Sequence, residues 1–367
     1  MKFECEKTRI EPLIQKAARL TNKHLTLPVL SCLLLDVGEG KLLIKSTNLD
    51  MGLEIETKVK TLEKGIVAVP ANILMNVLSS SRDNNLTFET VENNLKISAG
   101  RNSALIKCMS SEDFPSIPKL KPSSAKSLKI NCHDLMLGFK SVWYSASNSN
   151  IKPELSSVYV FTKDNHLVFV STDSFRLAEK KINIKSPVDF PQTLLPYKNV
   201  AEIVRLFEDN KDDIDIIFEK NQAAFIIKDL YVVSRLIDGS FPDYRQIIPK
   251  SYPTMATVLK NDLINGLKTS NIFSDSLNQV KLKVDSENKS LNIESKNNDI
   301  GEYKESIKAT VEGDALELNF NNKYIVDSMQ SIASDSLLLS FGGVGKPLAI
   351  TGASDKSFLY IVMPMNR

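Results

Sequence analysis

The residues that most often carry covalent or metal chemistry are few in this sequence. Its cysteines and histidines are Cys5, Cys32, Cys108, Cys132, His24, His133 and His166. Their spacing contains no Cys-x-x-Cys pair and assembles neither a zinc site nor a nucleophile–base pair. We therefore expect free thiols in a reducing compartment, with no metal ion, no cofactor and no catalytic residue.

Residues 341–346, Phe-Gly-Gly-Val-Gly-Lys, are weakly similar to a phosphate-binding loop. They lie between two β-rich runs, however, and a hairpin turn explains them better. The sequence lacks a Gly-x-x-x-x-Gly-Lys-Ser/Thr loop, the paired carboxylates of metal-dependent nucleases and a Gly-x-Ser-x-Gly elbow. These absences argue against the alternative that the chain is an enzyme acting on nucleic acids or nucleotides.

The predicted first helix has a basic face. Its apolar side is formed by Ile10, Leu13, Ile14, Ala17 and Leu20. Arg9, Lys16, Arg19 and Lys23 fall on the opposite side, with no acid among them. This pattern fits either a surface that faces phosphates or an ordinary solvated face.

A second helix carries Lys198 and Arg205 on one face, with Glu202 between them. These cations are sparse and lack interleaved aromatic residues. Such a pattern favours nonspecific contact with a nucleic-acid backbone over base stacking or groove readout.

Length and composition indicate several soluble domains. A chain of 367 residues suits two or three domains, and 42% hydrophobic with 25% charged residues is ordinary for globular proteins. No apolar run reaches the ~18 residues of a membrane helix. The N-terminus, Met-Lys-Phe-Glu-Cys-Glu, does not resemble a signal peptide, so we expect a cytoplasmic protein without membrane contact.

An internal repeat organises the chain. The first repeated feature is a predicted strand that runs into serine, at 42–46, 167–171 and 291–295, with leading leucines 125 and 124 residues apart. A polar turn and another β-rich run precede each copy. These pairs predict three equivalent hairpins.

Two further features recur in the same order. A strand leads into a helix at 69–72, 195–198 and 320–323, and we expect the proline of the first two copies at the first helical position. A Phe-Pro segment begins at Phe114 and again at Phe241, each followed by a proline-bearing linker. Each copy thus reads helix, hairpin, helix, hairpin, which predicts an α+β domain used three times, at 1–122, 126–250 and 253–367.

Four passages in this order resemble the bacterial DNA polymerase III β subunit, the sliding clamp family, over the whole chain. They are Thr-Leu-Pro-Val-Leu at 26–30, Ser-Thr-Asp-Ser-Phe-Arg-Leu-Ala at 171–178, Leu-Ile-Asp-Gly-Ser-Phe-Pro-Asp-Tyr-Arg at 236–245 and Tyr-Ile-Val-Met-Pro-Met at 360–365. The resemblance implies a DNA clamp fold, with two helices packed on β-sheets in each domain. It also implies a head-to-tail homodimer that forms a six-domain ring.

The resemblance implies a non-catalytic processivity factor that encircles duplex DNA without sequence specificity. Its expected partners are the replicative polymerase subunit, the clamp loader and other replication or repair proteins carrying clamp-binding peptides. Such a peptide is extended and has a glutamine and a hydrophobic pair. The implied peptide-binding residues are Leu155, Thr172, Ser174, Phe175, Arg176, Leu177, Pro242, Gln246, Ile247, Ile361, Val362, Met363, Pro364 and Met365.

The sequence departs from the family pattern at several of these positions. Ser174 and Phe175 stand where Gly-His is common, and Gln246 stands where a basic residue is common. Peptide selectivity is therefore open. The implied DNA-binding residues are Lys23, His24, Ser149, Lys152, Lys198 and Arg205, and Pro153-Glu154 replaces an aromatic pair beside Lys152.

For the dimer, the resemblance implies that Ile272 and Phe273 of one chain face Ile73, Val77, Ala104 and Ile106 of the other. Glu302 and Glu305 would meet Arg101 or Lys107. The alternative to the clamp is a repeat-built protein-interaction scaffold that does not encircle DNA.

Overall fold

The computed structural model describes residues 1–21, 26–121, 126–149, 151–184 and 191–365. The chain forms two compact units. Unit 1 comprises Met1–His133 and Glu202–Leu236, and unit 2 comprises Asp134–Ala201 and Ile237–Arg367.

Six α-helices occur among the described residues. They are α1 (Lys7–Ala18), α2 (Ala71–Ser80), α3 (Cys132–Val142), α4 (Tyr197–Phe207), α5 (Lys260–Ile272) and α6 (Asn322–Met329). The amphipathic pattern explains α1, because Ile10, Ile14 and Ala17 are buried at helical spacing. None of the helices in the described ranges is long and apolar enough to cross a membrane.

Unit 1 contains two antiparallel sheets. The first ten strands in chain order belong to it: β1 (Lys2–Glu6), β2 (Cys32–Val37), β3 (Lys41–Thr47), β4 (Met51–Lys58), β5 (Lys60–Glu63), β6 (Gly65–Pro70), β7 (Asn85–Val91), β8 (Asn94–Ala99), β9 (Asn102–Lys107) and β10 (Lys126–Asn131).

 Ten strands thus precede α3 in the chain among the described residues. Three later strands complete the unit: β15 (Asp213–Glu219), β16 (Gln222–Ile227) and β17 (Leu230–Arg235).

The strands of unit 1 form one five-stranded and one eight-stranded sheet. One sheet has the order β5-β1-β7-β8-β9, and the other has the order β10-β15-β16-β17-β4-β3-β2-β6. In the second sheet β17 pairs with β4, with Leu230 opposite Ile55. Strands from both ends of this unit's sequence therefore share one continuous hydrogen-bonded sheet.

Unit 2 contains one large antiparallel sheet. Its strands are β11 (Ser157–Lys163), β12 (His166–Thr172), β13 (Arg176–Asn183), β14 (Thr193–Pro196), β18 (Thr254–Leu259), β19 (Gln279–Asp285), β20 (Ser290–Asn297), β21 (Gly301–Gly313), β22 (Leu316–Asn321), β23 (Ser336–Phe341), β24 (Leu348–Gly352) and β25 (Phe358–Val362). Their order is β14-β11-β12-β13-β25-β24-β23-β18-β21-β20-β19-β22. Antiparallel sheets with separate helices make the fold α+β, as the sequence predicts.

The predicted hairpins are present in all three copies. Each repeated strand is the second strand of its pair: β3 after β2, β12 after β11 and β20 after β19. The simple helix–hairpin–helix–hairpin reading was wrong in one respect, because further strands extend each hairpin. In the first copy, β4, β5 and β6 follow β3 before α2 begins.

α2 and α4 begin one residue later than predicted, so the two prolines lie just before these helices. Pro70 ends β6 and is the N-cap of α2, and Pro196 ends β14. A strand end tolerates proline because the missing N–H removes little from the hydrogen-bond ladder. The predicted first helical position is therefore wrong: α2 begins at Ala71 and α4 at Tyr197, one residue after the proline in each case.

The helix-to-sheet packing repeats as well. A side chain at Gly138 of α3 would collide with Phe169 of β12, and one at Gly266 of α5 would collide with Ile293 of β20. Phe169 and Ile293 occupy equivalent places in their repeated strands. Two copies therefore use a glycine to bring a helix close to the same strand position.

Candidate functional site

The predicted peptide-binding residues, here called the candidate peptide site, surround the pairing of β13 with β25 in unit 2. In this register Arg176 lies opposite Val362, and Leu177 lies opposite Ile361. Beyond β25, the backbone N–H of Met363 donates a hydrogen bond to the carbonyl of Phe175 at 2.8 Å. The sheet thus fixes the C-terminal segment beside the turn that precedes β13.

The floor of the candidate peptide site is apolar and buried. Leu177 and Ile361 belong to a core cluster that also contains Tyr244 and Phe161. Leu155, Thr172 and Val362 are buried too. These side chains support the site, and they leave its exposed parts to supply direct contacts.

The exposed part of the candidate peptide site comes from two turns and the C-terminal segment. Phe175 is 63% exposed and Ile247 is 46% exposed. Ser174, Pro242 and Gln246 are also exposed, whereas Met363, Pro364 and Met365 are half-buried. Aromatic, aliphatic and thioether groups at one place suit an extended apolar peptide.

A strained turn presents Phe175. Ser174 has φ +79°, in the left-handed region that favours glycine. The Asp173 carboxylate accepts hydrogen bonds from the N–H groups of Phe175 (3.0 Å) and Arg176 (2.9 Å). Thr172 Oγ1 accepts another from the N–H of Ser174 at 3.1 Å. These bonds hold the turn despite a serine where glycine would fit better.

Arg176 is buried and its donors are engaged. Nε donates to Asp173 at 2.9 Å, Nη1 to Asp327 at 2.8 Å, and Nη2 to the carbonyl of Tyr144 at 2.7 Å. Burial disfavours its charge, but the two carboxylates help to keep the pKa of Arg176 above its ordinary value. This arginine therefore links the turn before β13 to Asp327 and Tyr144, and has no donor left over for a direct ligand contact at Nε.

Arg176 also depends on residues that the sequence reading missed. Its guanidinium lies 4.3 Å from the ring centroid of Tyr324, on α6. Asp327 is on the same helix. Of these partners, only Asp173 is close to Arg176 in sequence, three residues before it. Tyr324 and Asp327 are brought to Arg176 by the tertiary fold.

Gln246 lies in the short 3₁₀ helix Tyr244–Ile247. Its Nε2 donates to Asp243 Oδ2 at 2.9 Å. The amide is thus held by a neighbouring carboxylate on an exposed turn. A polar uncharged group occupies the place where the family resemblance implies a cation.

The predicted DNA-binding residues are distributed over several elements. Lys23 and His24 lie outside the described residues. Ser149 and Lys152 are exposed, as is Lys198 at the start of α4. Arg205, near the end of α4, forms an ion pair with Glu202. This pair partly cancels the positive charge of the helix.

Two cations on the basic face of α1 form hydrogen bonds within unit 1. Arg9 Nε donates to Thr57 Oγ1 at 3.2 Å, and Lys16 Nζ donates to the carbonyl of Leu206 at 2.9 Å. Burial lowers the pKa of Lys16. The Arg19 side chain is exposed and makes no hydrogen bond or ion pair with the described part of the chain. Of the three described cations on this face, Arg19 is therefore the least constrained.

The predicted dimer residues divide between surface and core. Ile272, at the end of α5, is 63% exposed, and Ile73 on α2 is also exposed. Val77, Ala104 and Phe273 are half-buried, and the Phe273 ring stacks on Tyr303 at 6.0 Å.

Ile106 is only 3% exposed, whereas its neighbour Leu105 is 59% exposed. Alternation along β9 turns Ile106 inward and Leu105 outward.

The charged residues predicted beside the dimer contact are accessible. Arg101, Lys107 and Glu302 are exposed. Glu305 is half-buried and accepts a hydrogen bond from the Tyr303 hydroxyl at 2.6 Å. Arg101 and Lys107 lie beside and on β9, and Glu302 and Glu305 lie on β21.

The glycine-rich segment is a hairpin turn between β23 and β24. The N–H of Gly342 donates to the carbonyl of Pro347 at 3.0 Å, and that of Lys346 donates to the carbonyl of Gly343 at 3.1 Å. Gly343 and Gly345 both have positive φ. The interpretation as a turn is confirmed.

The described residues contain no group of three or more His, Cys, Asp or Glu side chains that could hold a metal ion. All four cysteines are free thiols, and burial raises the pKa of Cys5 to about 12. Such a thiol is a poor nucleophile at neutral pH because little of it is ionised.

Solved structures with this fold cover the whole chain. A DNA polymerase sliding clamp from Bacillus subtilis has a TM-score of 0.94 at 22% identity, with 100% of this chain and 99% of that chain covered. A DNA polymerase sliding clamp from Pseudomonas aeruginosa has a TM-score of 0.93 at 23% identity, with both chains fully covered. The fold is therefore that of the DNA polymerase sliding clamps.

Sequence comparison gives the family. Three family models of the DNA polymerase III beta subunit match this chain. The N-terminal domain model matches residues 1–118, the central domain model matches 130–243, and the C-terminal domain model matches 245–366. The beta sliding clamp of Staphylococcus epidermidis is 23% identical over 375 residues, covering 100% of this chain and 99% of that protein. The chain belongs to the DNA polymerase III beta subunit family.

Proposed function

We propose that two copies of this chain close head to tail into a six-domain ring that encircles duplex DNA and tethers the replicative polymerase to it. The observation that carries this proposal is the match of all three beta subunit domains, in order, along the chain. The role is non-catalytic and belongs in the cytoplasm, where the chain meets DNA, polymerase and clamp loader. A scaffold that leaves DNA free is not favoured.

Each chain contributes three clamp domains, at 1–122, 126–250 and 253–367. The matched ranges of the family models support boundaries close to these. The recurring hairpins and the glycines at equivalent helix positions support the equivalence of the copies. Three similar domains per chain allow two chains to complete a ring of six.

Sheet edges and apolar side chains support the dimer. Among the described strands, β9 pairs only with β8 and so has one free edge. In β21, residues 301–308 pair with β20, whereas the pairing with β18 begins only at Ala309. An unpaired edge readily accepts a strand from another chain. Leu105 and Ile272 add exposed apolar surface beside these two edges.

Contacts with DNA in this proposal are few and nonspecific. Lys198, Arg205 and Lys152 are accessible cations that phosphates would meet, and Ser149 offers a hydroxyl. Lys23 and His24 remain a prediction from the sequence. A closed ring stays on DNA by topology, because a heterologous interface that closes encloses its contents. Weak phosphate contacts are therefore sufficient, and they leave the ring able to slide.

The candidate peptide site holds the partners. Phe175, Ile247 and Met363 provide the accessible apolar contacts, while Leu177 and Ile361 form a rigid floor. The polymerase, the clamp loader and other replication or repair proteins would each insert an extended peptide with a glutamine and a hydrophobic pair. A shared site makes these partners compete.

The mass of the particle in solution tests this proposal. Light scattering should give twice the 40.9 kDa of one chain. Ile272→Arg should convert the particle to single chains, because it places a charge in the apolar contact. Val344→Arg is the matched control, since Val344 is 82% exposed in the hairpin turn and should leave the dimer intact. A wild-type particle with the mass of one chain at every concentration would contradict the ring.

A further inference from the structure

Unit 2 has a second surface feature, a positively charged cleft with a volume of about 460 Å³. Its cationic side chains are Lys163, Lys181, Arg245 and Lys250. The side chains of Lys163 and Lys250 are exposed and form no ion pair or hydrogen bond with the described residues. Their ammonium groups are therefore accessible to a negatively charged ligand.

Arg245 lines this cleft, and its side chain is positioned by two aromatic rings. Its guanidinium lies 5.3 Å from the ring centroid of Phe161 and 5.2 Å from that of Tyr244. Within the described part of the chain it donates no hydrogen bond and has no carboxylate partner. Stacking restricts the side chain while leaving its N–H groups free, which lowers the entropy lost when a carboxylate binds.

The acids of the cleft cancel only part of this charge. Glu179 is buried, and it already accepts a hydrogen bond from the Tyr244 hydroxyl and pairs with Lys181 at 3.2 Å. Burial raises the pKa of Tyr244, and the neighbouring Glu179 raises it further, so the hydroxyl keeps its proton. Asp164 is the other acid of the lining, against four cations.

The cleft continues the candidate peptide site along one sheet face. Side chains two residues apart on a strand share a face, so Leu177, Glu179 and Lys181 of β13 point the same way. On β25, Ile361 and Leu359 are related in the same manner, and they lie opposite Leu177 and Glu179. The cleft thus begins roughly 7 Å from the floor of the candidate peptide site.

We propose that this cleft binds an acidic protein segment that flanks the peptide held in the candidate peptide site. The inference rests on the proposed function, because it assumes a partner peptide at that site. The four cations come from separate segments of the chain, β11, β13, the 3₁₀ helix Tyr244–Ile247 and the residues after it, which suits several separate carboxylates better than one compact phosphate. Val168, Ile248 and Leu359 add apolar surface for the methylene groups of glutamate side chains.

Fluorescence anisotropy with synthetic peptides tests this inference. The core peptide has a glutamine and a hydrophobic pair, and it is extended at either end by four glutamates or by four serines. One of the two glutamate extensions should tighten binding about fivefold at ~50 mM salt, because a few exposed ion pairs form. The gain should vanish at ~500 mM salt, where exposed charges are screened.

The decisive variants leave the candidate peptide site unchanged. The double variant Lys163→Ala/Lys250→Ala should lose most of the gain from glutamate while binding the serine peptide normally. Arg245→Ala should act in the same direction, and Arg245→Lys should restore part of the gain. Lys283→Ala is the matched control, since Lys283 is exposed on β19 and does not line the cleft.

Two different failures are distinguishable in this experiment. If the core peptide binds but glutamates and serines give equal affinity, the acidic-segment inference is wrong and the peptide site stands. If no core peptide binds to the wild-type protein, the peptide site itself is wrong, and the inference falls with it. Binding of pyrophosphate without any gain from glutamates would show that a small anion, rather than a protein segment, is the occupant.

Discussion

The candidate peptide site of unit 2 and the basic face of α1 in unit 1 both appear in the sequence as groups of similar side chains. The structure treats the two groups differently. At the peptide site, sheet register buries Leu177 and Ile361 as a floor and leaves Phe175 exposed. On α1, Lys16 is drawn into a hydrogen bond with the carbonyl of Leu206.

The difference follows from what each kind of side chain needs. An apolar residue in a strand is assigned to the core or to the surface by alternation, so its availability can be read from register. A long cation reaches several ångströms, and any nearby carbonyl or carboxylate satisfies it. A row of cations therefore indicates a charged surface less securely than a set of apolar residues at the end of a sheet indicates a binding surface.

The largest expected effect concerns the peptide site. Changing Met363 and Met365 together to aspartate should weaken binding of a core peptide by about 100-fold or more, because it places charges against apolar ligand groups. Met109→Asp is the control, since Met109 is 39% exposed and lies in unit 1. Calorimetric titration measures the affinity, and light scattering should show unchanged particle mass. Equal affinity before and after the double change would place the peptide elsewhere.

The basic face of α1 should give a smaller and divided effect. Arg19→Ala should weaken nonspecific DNA affinity about twofold, because it removes one accessible cation, without changing the melting temperature. Lys16→Ala should lower the free energy of unfolding by about 1 kcal/mol, because its hydrogen bond to Leu206 is lost. DNA binding at several salt concentrations and thermal unfolding separate the two. The reverse result would show that Lys16, rather than Arg19, faces phosphate.

The smallest effect is expected at the rim of the peptide site. Ser174→Gly should raise the free energy of unfolding by up to about 1 kcal/mol, because glycine adopts φ +79° without strain. Ser81→Gly is the matched control, since Ser81 has φ −68° and gains nothing from glycine. Thermal unfolding measures both. A lower melting temperature for Ser174→Gly would mean that the serine side chain stabilises this turn.

Repeated local patterns allowed much of the fold to be predicted. Hairpins with β3, β12 and β20 as second strands follow from strand runs that end in serine, and the start of α2 follows from the segment at 69–72. β5 (Lys60–Glu63) was missed because it is short and mostly exposed, with little apolar pattern. Pairings between distant segments, such as β17 with β4, leave no local signal.

The candidate site was predictable only in part. The resemblance supplied its residues, but the burial of Arg176 by Asp327 and Tyr324 depends on a helix about 150 residues further along the chain. The inward position of Ile106 follows from strand register, which a single apolar run does not determine. Contacts that the tertiary fold creates were therefore missed, whereas those set by neighbouring residues were found.

Retention on DNA of defined topology tests the central claim most directly. After loading onto circular duplex DNA, the protein should remain bound through gel filtration at salt concentrations that remove simple phosphate contacts. Cutting the circle once should release it, because a ring slides off a free end. Equal retention on the circular and the linearised DNA would mean that contact affinity holds the protein, and would contradict encirclement.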